Sequence, residues 1–235
     1  MASRELKDTH EAHYFAPSAP PPVEKDKGVR DMFPLAPFVI SGGRNTERYY
    51  FIHVNDLSVK HKFNIRPKYF GDESAYMDVF PQRIEEILRK NADAKIFCVF
   101  DMDTVYKYGM MGRHKEFVAS LGKEIESGQV VLCDSMPSFE FWLLLHFVDY
   151  NGLLKNYSEV SQELAPYIKP YFEESTKALK KLLKSEKYLQ DSNWVRRLLD
   201  EGRLEQAVER AKACLSRALE KEDQHSYSNV FKIFE

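Results

Sequence analysis

The sequence predicts an α/β fold built on a parallel sheet, and three observations support that prediction. Short apolar runs, "FVI" from residue 38, "KIFCVF" from residue 95 and "QVVLC" from residue 129, are typical of buried strands. Stretches with helical spacing separate these runs, and parallel strands need crossover connections of this kind. Beyond Asn151 the sequence shows only helical patterns. We therefore expect a parallel sheet flanked by helices, followed by a helical C-terminal extension.

The first elements follow from local patterns taken in order. The first strand ends in Ser-Gly-Gly, which favours a tight turn, and "NTERYYFIHVN" then predicts a helix with Asn45 or Thr46 as its N-cap. "KFNIRPKYF" predicts a short strand that Pro67 interrupts. "YMDVFPQRIEEILRKN" has apolar residues at helical spacing, and the strand "AKIFCVF" follows it.

The next elements are an amphipathic helix, a strand and an apolar helix. "RHKEFVASLGKEIESG" predicts one helix with Gly128 as its C-terminal cap. After "QVVLC", the Ser-x-Pro sequence before "FEFWLLLHFVDY" favours a helix start with Ser135 or Ser138 as the cap. Glu140 lies among apolar neighbours there, and a buried carboxylate requires a partner. We expect His146, on the same helix, to be a core histidine.

The chain divides into three parts by composition. We expect a proline-rich flexible leader at 1–34, because the prolines of "APSAPPPVEKDKG" exclude a helix and a central strand. An arm that docks on a partner is the alternative. The α/β domain occupies 35–150, and a helical C-terminal extension packed on the core occupies 151–235. That extension contains four helical patterns, "NYSEVSQELAPYI", "STKALKKLLKSEKYL", "NWVRRLLDEG" and "RLEQAVERAKACLSRALEKED".

Composition favours a cytoplasmic protein without membrane contact. The net charge of −2 predicts no strong general attraction to nucleic acid or membrane, so such contact requires a local basic face. Cys98, Cys133 and Cys214 lack metal-site spacing and are expected to be buried thiols in a reducing compartment. The N-terminus has no apolar signal region, and the longest apolar run is about half a membrane span.

Acidic residues follow three of the predicted strands. Glu47 comes after the first, Asp101 and Asp103 after the second, and Asp134 and Glu140 after the third. Ligands of an open α/β sheet bind outside the carboxyl ends of its strands, so we expect these side chains at one rim. Carboxylate oxygens there suit Mg²⁺ or Mn²⁺, which could polarise a phosphodiester and activate water.

Each acidic motif also has a purely structural explanation. Asp-x-Asp after a strand is common in solvated turns, and Glu47 fits the first turn of a helix, where the dipole favours an acid. Gly42 and Gly43 could bind a phosphate through their backbone N–H groups or could merely turn the chain.

A phosphotransferase or a nucleotide-binding switch that uses these glycines is the weaker hypothesis, because no Walker lysine follows them.

Three motifs in this order and spacing resemble the RloB-like family. They are "ISGGRNTERYYF", "FCVFDMD" and "SMPSFEFWLLLHF", and the closing "SYSNVFKIF" also resembles that family's terminal segment. The resemblance covers about residues 35–235. It implies a Toprim-like fold, a catalytic glutamate after the first strand and a metal-binding Asp-x-Asp after a later one.

The resemblance also assigns residues, with one departure. Asp101 and Asp103 match the metal-binding pair, and Glu140 and His146 match the family's Phe-Glu…His-Phe string. Family members typically read Glu-Gly-x-x-Thr-Glu, and the first Glu is the general acid or base. Here that position is Gly42, and only the second acid, Glu47, remains. The chain therefore uses Glu47, borrows Glu140 or has lost catalysis.

The family's expected role is a nuclease in bacterial anti-phage abortive infection. The resemblance implies cleavage of RNA, with tRNA as one candidate, or of DNA, under the control of an ABC-type ATPase encoded nearby. A homo-oligomer is compatible with the sequence. The alternative function is a non-catalytic Toprim-like interaction subunit that binds or regulates the ATPase. Gly42 favours this alternative, and the intact Asp-x-Asp argues against it.

Lysines of the C-terminal extension form a second candidate site. Lys177, Lys180, Lys181 and Lys184 recur at three- and four-residue steps, opposite a row of leucines. A solvated helix face is one explanation of this basic stripe. The others are a track that binds nucleic-acid phosphates without reading sequence, and a surface that docks on a protein.

Overall fold

A computed structural model describes residues 36–43, 45–67, 76–220 and 225–235, so the expected leader at 1–34 lies outside the described residues. Its centre is a five-stranded sheet with the order β2-β1-β3-β4-β5. The strands are β1 (Phe38–Ser41), β2 (Asn64–Arg66), β3 (Ile96–Asp101), β4 (Val130–Met136) and β5 (Tyr227–Ser228). The first four are parallel to their neighbours, and β5 pairs antiparallel with β4. The predicted α/β class with a parallel sheet is confirmed.

Helices connect the parallel strands and make up most of the second half of the chain. Those in the first half are α1 (Thr46–Leu57), α2 (Tyr76–Lys90), α3 (Asp103–Lys107), α4 (Met111–Ser120), α5 (Gly122–Glu126) and α6 (Glu140–Leu145). Those in the second half are α7 (Tyr157–Ile168), α8 (Leu179–Leu182), α9 (Glu186–Leu189), α10 (Asn193–Leu199) and α11 (Arg203–Glu220). Short 3₁₀ turns occupy Lys169–Tyr171, Asp200–Gly202 and Val230–Ile233.

The sheet is covered on both faces, because successive side chains of a strand point to opposite sides. One face packs with α1, α6 and the helices of the second half; its strand residues include Val39, Phe97, Val99 and Cys133. The other face packs with α2, α3 and α4; its strand residues include Ile40, Cys98 and Phe100. Burial on both sides explains why the strands are continuously apolar.

The second-half helices and the sheet share one continuous core. Val160, Leu182, Trp194 and Ala211 come from four of these helices, and each is fully buried in the same cluster as Val39 of β1. The sheet face therefore remains covered only while those helices are in place.

Strand β5 corrects the expectation that no strand follows Asn151. It has only two residues, pairing Ser228 with Ser135 and Tyr227 with Met136. A pattern this short gives no periodicity to detect, and the pairing depends on contacts made in the folded protein. The hydroxyls of Ser135 and Ser228 lie 2.8 Å apart. Ser135 is thus a strand residue and not a helix cap.

Two predicted helices are broken in the structure. The segment from Arg113 to Gly128 forms α4 and α5, which separate at Leu121, while Gly128 has the left-handed φ of 76° expected of a helix end. The lysine-rich segment forms α8 and α9, with a non-helical connection between them. The lysines therefore do not form one straight helical stripe.

All three cysteines are free and buried, as the sequence predicts. In the part of the chain that the structure describes, no helix combines the length and the apolar character that crossing a membrane requires.

Candidate functional site

Three carboxylates from distant parts of the chain meet beyond the carboxyl ends of β1, β3 and β4. Glu47 belongs to the first turn of α1, Asp101 ends β3 and Glu140 begins α6. Glu47 is 8% exposed and Glu140 is 6% exposed, while Asp101 is partly exposed. We call these three residues the carboxylate cluster.

The cluster is electrostatically coupled. Burial, and then the charge of Glu140, raise the pKa of Glu47 from 4.5 to about 7. Burial and the charges of Glu47, Glu140 and Asp103 raise the pKa of Asp101 well above its usual range. Buried carboxylates that lie close together disfavour ionisation of one another. The cluster therefore either keeps some of its acids protonated or binds a cation.

Glu47 lies against the glycine turn that ends β1. A Cβ atom added at Gly43 would collide with both carboxylate oxygens of Glu47, so only glycine leaves room for the carboxylate there. A Cβ atom at Gly42 would instead lie 3.6 Å from Phe100 Cβ and 3.6 Å from Tyr76 Cβ, on the other face of the sheet. The acid that this chain places beside the turn is therefore Glu47.

Glu140 and Asp101 are held by groups of the β4–α6 connection. The Ser138 hydroxyl donates a hydrogen bond to Glu140 Oε2 at 2.7 Å, and the Phe139 N–H donates to Asp101 Oδ1 at 2.7 Å. Burial raises the pKa of Glu140, while the bond from Ser138 favours its charged form. Ser138 thus orients the glutamate and does not cap the helix by a side-chain bond.

Asp103 lies at the edge of the cluster. Met102 follows the strand, and Asp103 begins α3, with its N–H donating to the Pro137 carbonyl at 3.0 Å. The side chain is partly exposed, and desolvation raises its pKa. Its charge contributes to the raised pKa of Asp101, which places the two acids near each other.

Asp134 does not join the cluster, contrary to the expectation that it lies with the other acids. It lies within β4 next to Cys133, so its side chain points to the opposite face. There it accepts hydrogen bonds from the Tyr227 hydroxyl at 2.8 Å and from Asn229 Nδ2 at 2.9 Å. Its role is to hold β5 and the residues after it.

His146 is a core residue, as expected. It is 1% exposed, its Nδ1 lies 3.0 Å from the Trp142 carbonyl oxygen, and burial lowers its pKa to about 3. It is therefore neutral at physiological pH.

Of the four lysines named from the sequence, Lys184 is the one whose charge acts on the pKa values of the carboxylates. Its charge lowers the pKa values of Glu47, Asp103 and Glu140 against the raising effect of burial. Lys177 is instead paired with Glu174, and Lys180 and Lys181 are exposed.

Sequence reasoning missed the two links between α1 and the α8–α9 connection. The Thr46 hydroxyl donates to the Leu183 carbonyl at 3.0 Å, and Asn45 Nδ2 donates to the Lys184 carbonyl at 3.2 Å. Asn45 or Thr46 was expected as the N-cap; Asn45 occupies that position, but its side chain makes no capping bond. Partners 137 and 139 residues away leave no local signal in the sequence.

The oxygen atoms that the site offers suit a hard divalent cation, although its described acidic side chains are not arranged around a common point as metal ligands would be. Within the ranges that the structure describes, no group of three or more His, Cys, Asp or Glu side chains is arranged to hold a metal ion. The carboxylates that converge here nevertheless offer only oxygen, the donor preferred by Mg²⁺ and Mn²⁺. Only one oxygen of Asp101 is used by the bond from Phe139.

Comparison with known proteins gives one result beyond the geometry. The family model described as RloB-like protein matches residues 38–235, which is most of the chain. No curated protein and no solved structure gives a significant match. The chain belongs to the RloB-like family.

Proposed function

We propose that the protein is a metal-dependent nuclease that cleaves phosphodiester bonds of RNA or DNA. The observation that carries the proposal is the convergence of Glu47, Asp101 and Glu140, three acids separated along the chain, at the carboxyl edge of the sheet. An acidic cluster that is partly open to solvent is costly for a protein without a cation, because each carboxylate disfavours ionisation of the others. A hard cation removes that cost.

The residues would divide the work according to their positions. Asp101 and Asp103 would hold Mg²⁺ or Mn²⁺, as the family resemblance implies. Bound there, such an ion supplies charge for the phosphate oxygens and lowers the pKa of bound water. Glu140, fixed by Ser138, would support the carboxylate shell. Glu47, whose pKa is raised to about 7, suits a group that accepts a proton near neutral pH.

The proposed reaction is hydrolysis. The oxygen of a water molecule forms a bond to phosphorus, and the bond from phosphorus to the leaving oxygen breaks. Glu47 accepts the proton that the attacking water loses, and the leaving oxygen takes a proton from solvent. The bond count and the charge therefore balance without a further reactant.

The biological setting we propose is anti-phage defence. A nuclease of this kind is toxic to its own cell and requires restraint until infection, so control by an ABC-type ATPase fits the proposed activity. tRNA is one candidate substrate, by analogy with other Toprim-like effectors only.

The test is cleavage by the double variant Asp101→Asn, Asp103→Asn. Purified protein is incubated with total tRNA and with DNA, with and without Mg²⁺. We expect Mg²⁺-dependent cleavage by the parent and its loss in the double variant, with an unchanged circular dichroism spectrum. Asp56→Asn is the matched control, because Asp56 is exposed and lies on α1 away from the cluster. Cleavage by the double variant at the parental rate would contradict the metal assignment.

The alternative function is a non-catalytic subunit that binds or regulates the ATPase. The replacement of the family's first glutamate by Gly42 favours it. Under this alternative the parent cleaves neither substrate, while both the parent and the double variant still co-purify with the ATPase. The same preparations therefore distinguish the two functions.

A further inference from the structure

The connection between α8 and α9 lies over the start of α1, where Glu47 is located. We call residues 183–186 the clasp. The Leu183 and Lys184 carbonyls accept hydrogen bonds from Thr46 and Asn45, the two residues that precede Glu47. The Tyr49 hydroxyl donates to Glu186 Oε1 at 2.5 Å. The clasp is thus attached to α1 at three points, by its backbone and by Glu186 but not by the side chain of Lys184.

The side chain of Lys184 lies within electrostatic range of the cluster, because its charge lowers the pKa values of Glu47, Asp103 and Glu140. Its Nζ lies 4.8 Å from the centre of the Tyr157 ring, and Tyr157 is itself close enough to feel the charges of Glu140 and Glu47. The residue is exposed. Among the described residues, no carboxylate lies within the 4.0 Å that would make an ion pair with Lys184.

The other three lysines differ in this respect. Lys177 is paired with Glu174 and contacts the Tyr188 ring, 4.8 Å from its centre. Lys180 and Lys181 belong to α8. Their charges are not among the main causes of the pKa shifts of Glu47, Asp101 and Glu140. Lys184 is distinguished from its neighbours by the break between α8 and α9, which turns its backbone toward α1.

A phosphodiester is an anion, so four nearby acids repel it unless cations face it. Asp101 and Asp103 would hold a metal ion, whose charge would offset part of this repulsion. We propose that Lys184 contacts the reacting phosphate from the clasp and stabilises the negative charge that develops on it. The C-terminal helices then complete the catalytic site as well as covering the sheet. This inference rests on the proposed nuclease function.

The test uses thymidine 5′-(p-nitrophenyl phosphate), whose single phosphodiester is the reacting one. A lysine that only tracks a long nucleic acid has nothing to bind in this substrate. We expect Lys184→Met to lower kcat by about 10²-fold, the usual effect of removing one group that stabilises transition-state charge. Lys184→Arg keeps the charge and should retain more activity than Lys184→Met. On a nucleic acid that the parent cleaves, the loss should again appear in kcat.

Lys155→Met is the matched control, because Lys155 is an exposed lysine two residues from Tyr157. Its kcat should equal that of the parent. Equal kcat values for Lys184→Met and Lys155→Met would overturn the assignment of Lys184 and leave the nuclease proposal standing. A parent that cleaves neither the nucleotide ester nor nucleic acid would overturn both.

A measurement of metal affinity shows whether Lys184 acts on the phosphate directly or through the metal ion. The affinity of each variant for Mn²⁺ is measured by electron paramagnetic resonance without substrate. Removing a cation near the acids should leave that affinity equal or higher. If Lys184→Met weakens Mn²⁺ binding in proportion to its loss of kcat, the lysine acts through the metal site and the proposed contact is wrong.

Discussion

At the residue scale, the glycine pair shows how the carboxylate cluster is built in this chain. The turn that ends β1 contains Gly42 and Gly43, and the space beside it is filled by the carboxylate of Glu47, which lies against Gly43. Gly43 therefore acts as a positioning residue: the absence of its side chain decides where Glu47 can lie.

The two adjacent glycines allow a matched pair of substitutions. Gly43→Ala places a methyl group where the Glu47 carboxylate lies, and a flexible side chain can yield at small cost in stability. Because a misplaced catalytic group costs on the order of 10²-fold in rate, we expect Mg²⁺-dependent cleavage to fall by about that factor. Gly42→Ala, whose new methyl group has only ordinary contacts at 3.5–3.6 Å, should keep its activity. Equal activity of the two variants would contradict the role of Glu47.

The raised pKa of Glu47 predicts how stability depends on pH in the metal-free protein. The folded value of about 7 exceeds the unfolded value of 4.5, so the folded state binds more protons between them. The stabilisation from Glu47 is complete below pH 4.5 and is lost as pH rises through 7, by roughly 3 kcal/mol. We expect Glu47→Gln to show a smaller loss than the parent, because Asp101 and Glu140, whose pKa values are also raised, still titrate. Urea unfolding in EDTA at pH 5 and pH 8 measures it.

Added Mg²⁺ supplies the control for that experiment. At pH 8 the ion should restore stability to the parent, because a cation that binds only the folded state stabilises it by mass action. Asp101→Asn should gain little from the ion. If the parent and Glu47→Gln show the same dependence on pH in EDTA, the acids do not share one environment.

At the element scale, the C-terminal segment contributes apolar side chains, among them Phe234, to the larger core. Asp134 fixes Tyr227 and Asn229, and Phe234 lies 5.6 Å from the Trp142 ring with an interplanar angle of 10°. We expect Phe234→Ala to lower the free energy of unfolding by about 3–5 kcal/mol, the usual cost of emptying a buried aromatic site. Leu219→Ala, at a position 74% exposed, should change it by less than about 0.5 kcal/mol. Chemical unfolding of both variants checks the comparison.

The sequence predicts elements well where the pattern is long and local. β1, β3 and the helix Arg203–Glu220 were all visible as apolar runs or helical spacing. The two-residue strand β5 and the break between α8 and α9 were not, because each depends on distant partners. Helical spacing continues through residues 183–185 of the sequence, but the backbone is extended at Ser185, and the Leu183 and Lys184 carbonyls bond to Thr46 and Asn45 instead.

The candidate site was predictable to the extent that sheet topology determines it. Acids that follow parallel strands meet at one edge, and Glu47, Asp101 and Glu140 do so. Asp134 was assigned to the same group because its strand was expected to end at Cys133. The strand continues to Met136, and the alternation of side chains then points Asp134 to the opposite face. Because β4 is three residues longer than expected, Asp134 lies outside the candidate site.

At the scale of the whole molecule, the α/β part and the C-terminal helices depend on each other. The core face of α1 and β1 is buried by helices that lie more than a hundred residues later in the chain, and the clasp attaches those helices to the carboxylate cluster. The helical extension expected at 151–235 therefore shares one core with the α/β part. Catalytic geometry and folding stability would respond together to changes in the C-terminal half.

This dependence predicts a single cooperative unfolding transition. The chain has two tryptophans, and both are fully buried in the larger core, Trp142 on α6 and Trp194 on α10. Trp142→Phe leaves a fluorescence signal from the C-terminal helices alone, and Trp194→Phe leaves one from the helix beside the sheet. In each variant we expect the tryptophan fluorescence and the circular dichroism at 222 nm to change at the same urea concentration, because one core unfolds as a unit. A Trp194 signal that is lost at lower urea than the circular dichroism would show that the C-terminal helices open independently. The same opening would move Lys184 away from the carboxylate cluster, while the three acids kept their positions.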